Sequence, residues 1–204
     1  MKIVLVVGAS GTGKDSLLRS ARSYYKHDSR FCFARRFVTR PPDENEDNYY
    51  IDRAGFLILK NHGYFLAEWE AYGNLYGIPW SACEAAQGST LFCSVSRTAI
   101  RGVEKQFDSV TTLQITARAE MLQERLEKRA RENAASIEKR IARAKELCHA
   151  RDLILFDNSP PLSLTTVSFI DMLPKLVMEK ADYSFNKMGF TENLPSLRTA
   201  CLVE

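Results

Sequence analysis

The sequence predicts an α/β protein: a five-stranded parallel sheet flanked by helices, with a small β-rich insert and a helical lid. Three observations lead there. The apolar run Ile3-Val4-Leu5-Val6-Val7 passes directly into Gly8-Ala9-Ser10-Gly11-Thr12-Gly13-Lys14 and on into a helical pattern. Further short apolar runs alternate with helical stretches, and such alternation gives a parallel sheet covered on both faces. Between the second and third of these runs lies a stretch crowded with Tyr64, Phe65, Trp69, Tyr72, Tyr76 and Trp80, which fits a separate patch of β structure.

Taken in order, a first strand covers Lys2 to Val7 and a helix runs from about Lys14 to Tyr25, with Leu17, Leu18 and Ala21 on its apolar face. A second strand, Phe31 to Thr39, mixes aromatic and β-branched residues with Arg35 and Arg36. Pro41 to Asn48 breaks regular structure as an acidic loop. Tyr49 to Ile51 forms a short strand, Phe56 to Lys60 a short helix, and Tyr64–Glu70 with Ala71–Gly77 a hairpin. A helix starts at Pro79 and ends near Gly88. Thr90 to Val95 is a buried strand, Arg97 to Phe107 a helix, and Val110 to Thr116 another strand. Helices over Ala119–Lys128 and Ala134–Ala150 flank an interruption at Arg129 to Asn133. Leu153 to Phe156 is the last strand, and a helix over Leu162–Glu179 is broken or kinked at Pro174. The result is a single domain over about residues 1–180, with a core of 1–34 and 89–180, an insert of about 35–88 and a lid of about 125–140. The tail, 181–204, has weak periodicity and carries no assignment.

The chemistry starts in the glycine-rich stretch. Gly8, Ala9, Ser10, Gly11, Thr12 and Gly13 let consecutive backbone N–H groups converge on one anion. The following helix begins with N–H groups that lack intrahelical partners, so its positive end faces the same anion. Lys14 adds a point charge for the outer phosphates of a nucleotide. The hydroxyl usual after that lysine is replaced by Asp15, with Ser16 next. Asp15 either organises a metal, directly or through water, with Ser16 supplying the hydroxyl, or it stabilises the helix start by ~0.3–1 kcal/mol. Ligands of parallel sheets bind at the carboxyl ends of the strands. Arg40, Ser96, Arg97 and the pair Asp157-Asn158 fall there too.

Bulk composition narrows the classes. The 204 residues are 45% hydrophobic and 26% charged, with a net charge of only +3, so neither nucleic acid nor a membrane surface is implied. Five scattered cysteines without CxxC spacing, and three dispersed histidines, argue against a disulfide framework and a zinc site. The first apolar run is too short for a secretory leader and no run approaches ~18 apolar residues, which leads to the expectation of a cytoplasmic protein.

In this order the motifs resemble the guanylate kinase family of P-loop nucleoside-monophosphate kinases. Gly8 to Lys14 is similar to its phosphate loop, Thr39-Arg40-Pro41 to its T-R-x-P stretch, and Gly73-Asn74-Leu75-Tyr76-Gly77 to its G-N-x-Y-G turn. Arg125 to Glu132 resembles its R-L-x-x-R-G-x-E lid, and Lys139-Arg140-Ile141 the arginine of the next helix. The resemblance implies ATP with Mg²⁺ as donor, Arg40 and Tyr76 on the acceptor phosphate, and Arg129, Arg131 and Arg140 closing over the triphosphate, with Lys14, Arg129 and Arg140 the catalytic cations.

The departures point to a different acceptor. The glutamate that reads guanine falls at Ala67, a serine at Arg36, the second arginine of T-R-x-P-R near Asp43, and two aspartates at Ser94 and Ser96. A guanine edge left unpaired costs ~1–3 kcal/mol. With a carboxylate missing and an arginine added, the pocket is built for more phosphate and less base. The pattern Gly13-Lys14-Asp15-Ser16, Arg35 to Pro41, Ser96-Arg97 and Arg129 to Asn133 is similar to one branch of the family. That branch serves phosphonate breakdown, phosphorylating ribose 1,5-bisphosphate to 5-phosphoribosyl 1-diphosphate. It implies Arg36, Arg40, Tyr76, Ser96 and Arg97 as acceptor residues. The competing readings are a guanylate kinase with an altered pocket and a non-catalytic interaction module; the intact Lys14 and lid arginines count against the latter.

Overall fold

The computed structural model describes residues 1–41, 47–127 and 147–177. In chain order the elements are β1 (Lys2–Gly8), α1 (Lys14–Tyr24), β2 (Phe31–Phe33), β3 (Phe37–Val38), β4 (Tyr49–Tyr50), α2 (Arg53–Asn61), β5 (Phe65–Ala71) and β6 (Asn74–Pro79). There follow α3 (Ser81–Ala85), β7 (Thr90–Ser94), α4 (Ile100–Gln106), β8 (Val110–Thr116), α5 (Ala119–Glu127), β9 (Leu153–Asp157) and α6 (Leu162–Met172).

Five strands make one sheet in the order β2-β7-β1-β8-β9, with every pair parallel. The central β1 is apolar without interruption because both of its faces are covered: Ile3 to Val7 are each 0–1% exposed. Ile3, Leu5 and Val7 pack on one side with Leu91, Ile100 and Val103. Val4 and Val6 pack on the other with Leu17, Ala21, Phe92 and Phe169. The parallel order sets all five carboxyl ends on one edge, where the phosphate loop emerges from β1.

A second sheet, β4-β3-β6-β5, forms the insert, and it has a small apolar core of Phe56, Phe65 and Leu75. Asp52 caps α2 by accepting from Gly55 N at 2.7 Å, which starts that helix a turn earlier than its apolar residues suggest.

Several boundaries differ from the sequence expectation. The strand expected over Phe31–Thr39 is two strands in two sheets. Ala34 N makes the last bond to Phe92 O (2.9 Å), and Thr39 N bonds instead to Leu75 O (3.1 Å). Residues 34–36 carry the chain across, held by Arg22 Nη2 on the carbonyls of Phe33 and Ala34 (3.1 and 3.0 Å). Both halves have β propensity, so composition shows no gap between them. The hairpin turns at Tyr72 and Gly73, both left-handed (φ 53° and 75°), a few residues beyond the expected point. The helix after Pro79 is only Ser81–Ala85. Arg97–Ala99 is a 3₁₀ turn before α4. The last helix ends at Met172, and Pro174 lies in the 3₁₀ turn Leu173–Leu176, as its ring requires. Residues 147–150 are not helical: Cys148 N donates to Gln114 Oε1 at 2.8 Å. Arg129, Arg131 and Arg140 of the expected lid, Asp43 of the acidic loop and the tail lie outside the described residues. Among the described residues, no helix is long and apolar enough to cross a membrane.

Candidate active site

The phosphate loop follows β1 because two glycines remove obstacles there. A Cβ on Gly8 would stand 2.7 Å from the Ile115 carbonyl and 2.9 Å from Thr12 Oγ1. Gly13 has φ 82° and forms the N-terminal boundary of α1. A Cβ on it would stand 2.4 Å from Asn158 Nδ2. Thr12 is buried, and its hydroxyl and N–H both donate to Ala9 O (2.9 and 3.3 Å). The loop is braced from β9 as well: Asn158 Nδ2 donates to Thr12 O at 2.7 Å. Arg125 Nη2 donates in turn to Asn158 O at 3.0 Å. Arg125, the first residue of the expected lid motif, is therefore a support behind the loop. Its Nη1 is buried without a hydrogen-bond partner among the described residues, as is Asn158 Oδ1.

Asp15 does not cap the helix with its side chain; α1 has no side-chain cap. Its carboxylate instead lies between two cations. Lys14 Nζ is 3.3 Å from Oδ2, and Arg36 Nη2 is 3.2 Å from Oδ1. Lys14 and Arg36 are largely buried, at 12% and 11% side-chain exposure, against 36% for Asp15. Burial pushes the Asp15 carboxyl up, but the charges of Lys14 and Arg36 outweigh it, with hydrogen bonds from Lys14 and Ser94 adding to them. Together they hold the group well below the usual carboxylate range.

Arg36 is the hub. It leaves the core at the crossing between the two sheets and touches both. Nη1 donates to Ser94 Oγ at the end of β7 (3.1 Å), and Nε donates to Asn48 Oδ1 beside β4 (3.2 Å). Its guanidinium carbon is 5.9 Å from the Tyr76 ring centroid. Tyr76 stacks on Trp69, centroids 5.5 Å apart and planes 2° from parallel. Thr39 is clamped to β6, its Oγ1 accepting from Leu75 N at 2.9 Å, so Arg40 follows a fixed point.

The structure thus unites Lys14, Asp15, Arg36 and Tyr76. Ser96 takes another task, accepting from Thr98 N (3.3 Å) as the cap of the 3₁₀ turn. The serine at the site is Ser94, which shares Oδ1 of Asp15 with Arg36 (3.4 Å). Arg97 is half-buried and near enough for its charge to act on the Cys148 thiol. Asn48 and Asn158 are further members that spacing did not single out; the position of Asn158 after the last strand was its one sequence signal. Ala67, where a guanine-reading carboxylate would stand, is 9% exposed in the apolar core. The neighbouring Glu68 pairs with Lys60 at 2.6 Å.

A phosphate loop at the carboxyl edge of a parallel sheet, faced by Arg36 at the entry to a β insert, defines the class: a P-loop phosphotransferase. The sequence model of guanylate kinase matches residues 1–168. Ribose 1,5-bisphosphate phosphokinase PhnN of Methylobacterium radiotolerans is 41% identical over 142 residues, covering 69% of this chain and 81% of its own. The protein of that name from Brucella melitensis biotype 2 is 34% identical over 181 residues, covering 86% and 93%. A crystal structure of guanylate kinase from Anaplasma phagocytophilum shares the fold, with a TM-score of 0.57 at 20% identity over 88% of this chain and 87% of that one. The chain belongs to the guanylate kinase family, and within it to the ribose 1,5-bisphosphate phosphokinases.

Proposed function

We propose that the protein transfers the γ-phosphoryl group of ATP to the 1-phosphate of ribose 1,5-bisphosphate, forming 5-phosphoribosyl 1-diphosphate and ADP. A 1-phosphate oxygen attacks the γ-phosphorus in line, and the bond from that phosphorus to the bridging oxygen of ADP breaks. The attacking phosphate is already ionised at neutral pH, so no general base is required. In-line positioning and charge neutralisation carry the rate.

The loop backbone of residues 8–13 and Lys14 hold the donor phosphates. Arg36, Arg40 and Arg97 take the acceptor, suited to it because a planar guanidinium binds phosphate oxygens bidentately. Tyr76 donates its hydroxyl, and Ser96 belongs to the same strand end. Arg129, Arg131 and Arg140 are assigned, on the family resemblance, as further cations for the transferring group. Ser16 and Asp15 offer the hard oxygen donors that Mg²⁺ prefers. Lys14, Arg36 and Ser94 contact the Asp15 carboxylate, and the Ser16 hydroxyl and Asp15, directly or through water, are the groups that would hold the metal. When bound, the metal neutralises charge on the donor phosphates. A reducing, cytoplasmic setting suits the free thiols of Cys32, Cys83, Cys93 and Cys148.

One observation carries the choice of acceptor: the added arginine, Arg36, reaches within one carboxylate of Lys14 while Ala67 is buried in the apolar core. Purified protein with ATP·Mg²⁺ and ribose 1,5-bisphosphate should yield the diphosphate product, followed by ³¹P NMR. GMP in a parallel reaction should be turned over far more slowly. Preferential formation of GDP would reject the assignment.

A further inference from the structure

The Asp15 carboxylate bridges two cations that face different substrates. Lys14 belongs to the donor loop, and Arg36 belongs to the strap leading into the acceptor insert. A phosphoryl oxygen bound there would meet the same two cations. We propose that Asp15 is an internal stand-in for phosphate: it holds Arg36 until the attacking phosphate of the acceptor displaces it. This rests on the acceptor being a sugar bisphosphate whose reacting phosphate must lie beside the donor's outer phosphate, hence beside Lys14.

Four observations support the exchange. Arg36 has further partners, Ser94 on the core and Asn48 on the insert, which keep its guanidinium aimed at the site when Asp15 leaves. Tyr76 covers one face of it at 5.9 Å. Asp15 is the more exposed member of the pair, 36% against 11%, so the carboxylate is the group with room to swing away. Its bonds at 3.2–3.4 Å are long for charge-assisted contacts, so they are readily exchanged. Asp15 is a positioning residue in this scheme: it acts through Arg36 and links occupation of the acceptor site to the donor loop. Such linkage is reciprocal by thermodynamic necessity.

The test is a double-mutant cycle read by calorimetric binding, with ATP and metal left out. The probes are ribose 1,5-bisphosphate and, separately, inorganic phosphate. Asp15→Asn should bind both probes roughly two- to fivefold more tightly than the unaltered protein, the size of a lost competing ion pair. In an Arg36→Met background the same Asp15→Asn change should give a distinctly smaller gain, since only the pair with Lys14 is left to release. An equal gain in both backgrounds would mean plain through-space repulsion and overturn the exchange, as would no gain in either. Asp15→Ser serves as the second small neutral variant, and circular dichroism melts verify that each variant is folded. If ribose 1,5-bisphosphate is not turned over by the unaltered protein with ATP·Mg²⁺, the acceptor assignment fails, while the inorganic phosphate arm still decides the exchange.

Discussion

Asn158 Nδ2 donates to the carbonyl of Thr12 across 2.7 Å, tying the end of β9 to the phosphate loop 146 residues earlier in the chain. The amide is buried, and the carbonyl it satisfies shapes the loop just before Lys14. Replacing Asn158 with Ala leaves that buried carbonyl unpaired, a loss of about 1–3 kcal/mol in stability. We expect a lower melting temperature and a raised KM for ATP, with the KM for the acceptor little changed. Equal changes in both KM values would indicate general loosening instead of loop support.

Gly13 faces the same amide. Its φ of 82° and the 2.4 Å approach of Asn158 Nδ2 to a Cβ make Gly13→Ala strained twice over. The backbone alone costs about 1–3 kcal/mol. Because the strain sits where phosphate binds, ATP binding measured by fluorescence titration should fall at least as sharply as stability. Gly102 is the control, since a Cβ added there would meet nothing within 4 Å among the described residues. Gly102→Ala should leave ATP binding intact.

The depressed Asp15 carboxyl has a pH signature. Its ordinary value is 3.8, and in the folded state it lies well below that. A carboxyl lowered on folding contributes stability above its unfolded value, and the contribution fades as pH falls toward the folded value. In metal-free buffer at about pH 6, thermal unfolding of Asp15→Asn should therefore occur at a lower temperature than that of the unaltered protein. The difference should shrink steadily below about pH 3.8. A difference that stays constant into acid would assign it to packing.

The buried thiols should be inert. Burial pushes Cys83 up to about 11 and Cys93 well above its ordinary range. At about pH 8 almost none of either is thiolate, the reactive form. A disulfide reagent should label both only on unfolding, as peptide mapping would show.

The phosphate loop was legible because its chemistry is local: a strand, glycines and a lysine lie within fourteen residues of the N-terminus. The parallel sheet was legible because β1 is an apolar run and β7 a mostly apolar one, both buried on both faces, while β8 is as buried but mixes Val110, Leu113 and Ile115 with threonines and Gln114. Ser94 and Ser96 illustrate the opposite case. They alternate along one short stretch with the same hydroxyl, and only the end of β7 decides which meets Arg36 and which caps a turn. The partners of Asp15 and Arg36 come from four separate segments, so no spacing in the sequence encodes them. The split of residues 31–39 between two sheets was hidden because propensity does not say which neighbour a strand will find.

That split has a consequence for how acceptors can change. The chain enters the insert through residues 34–36 and leaves it after Pro79, and between those points it has its own sheet and its own small core. The insert is a cassette. Its side chains can be rewritten for a different acceptor while the strand, phosphate loop and amide brace proposed to hold the donor remain as they are. A buried Ala67 within such a cassette and an added Arg36 at its entry fit one rewriting, from reading a base to reading charge.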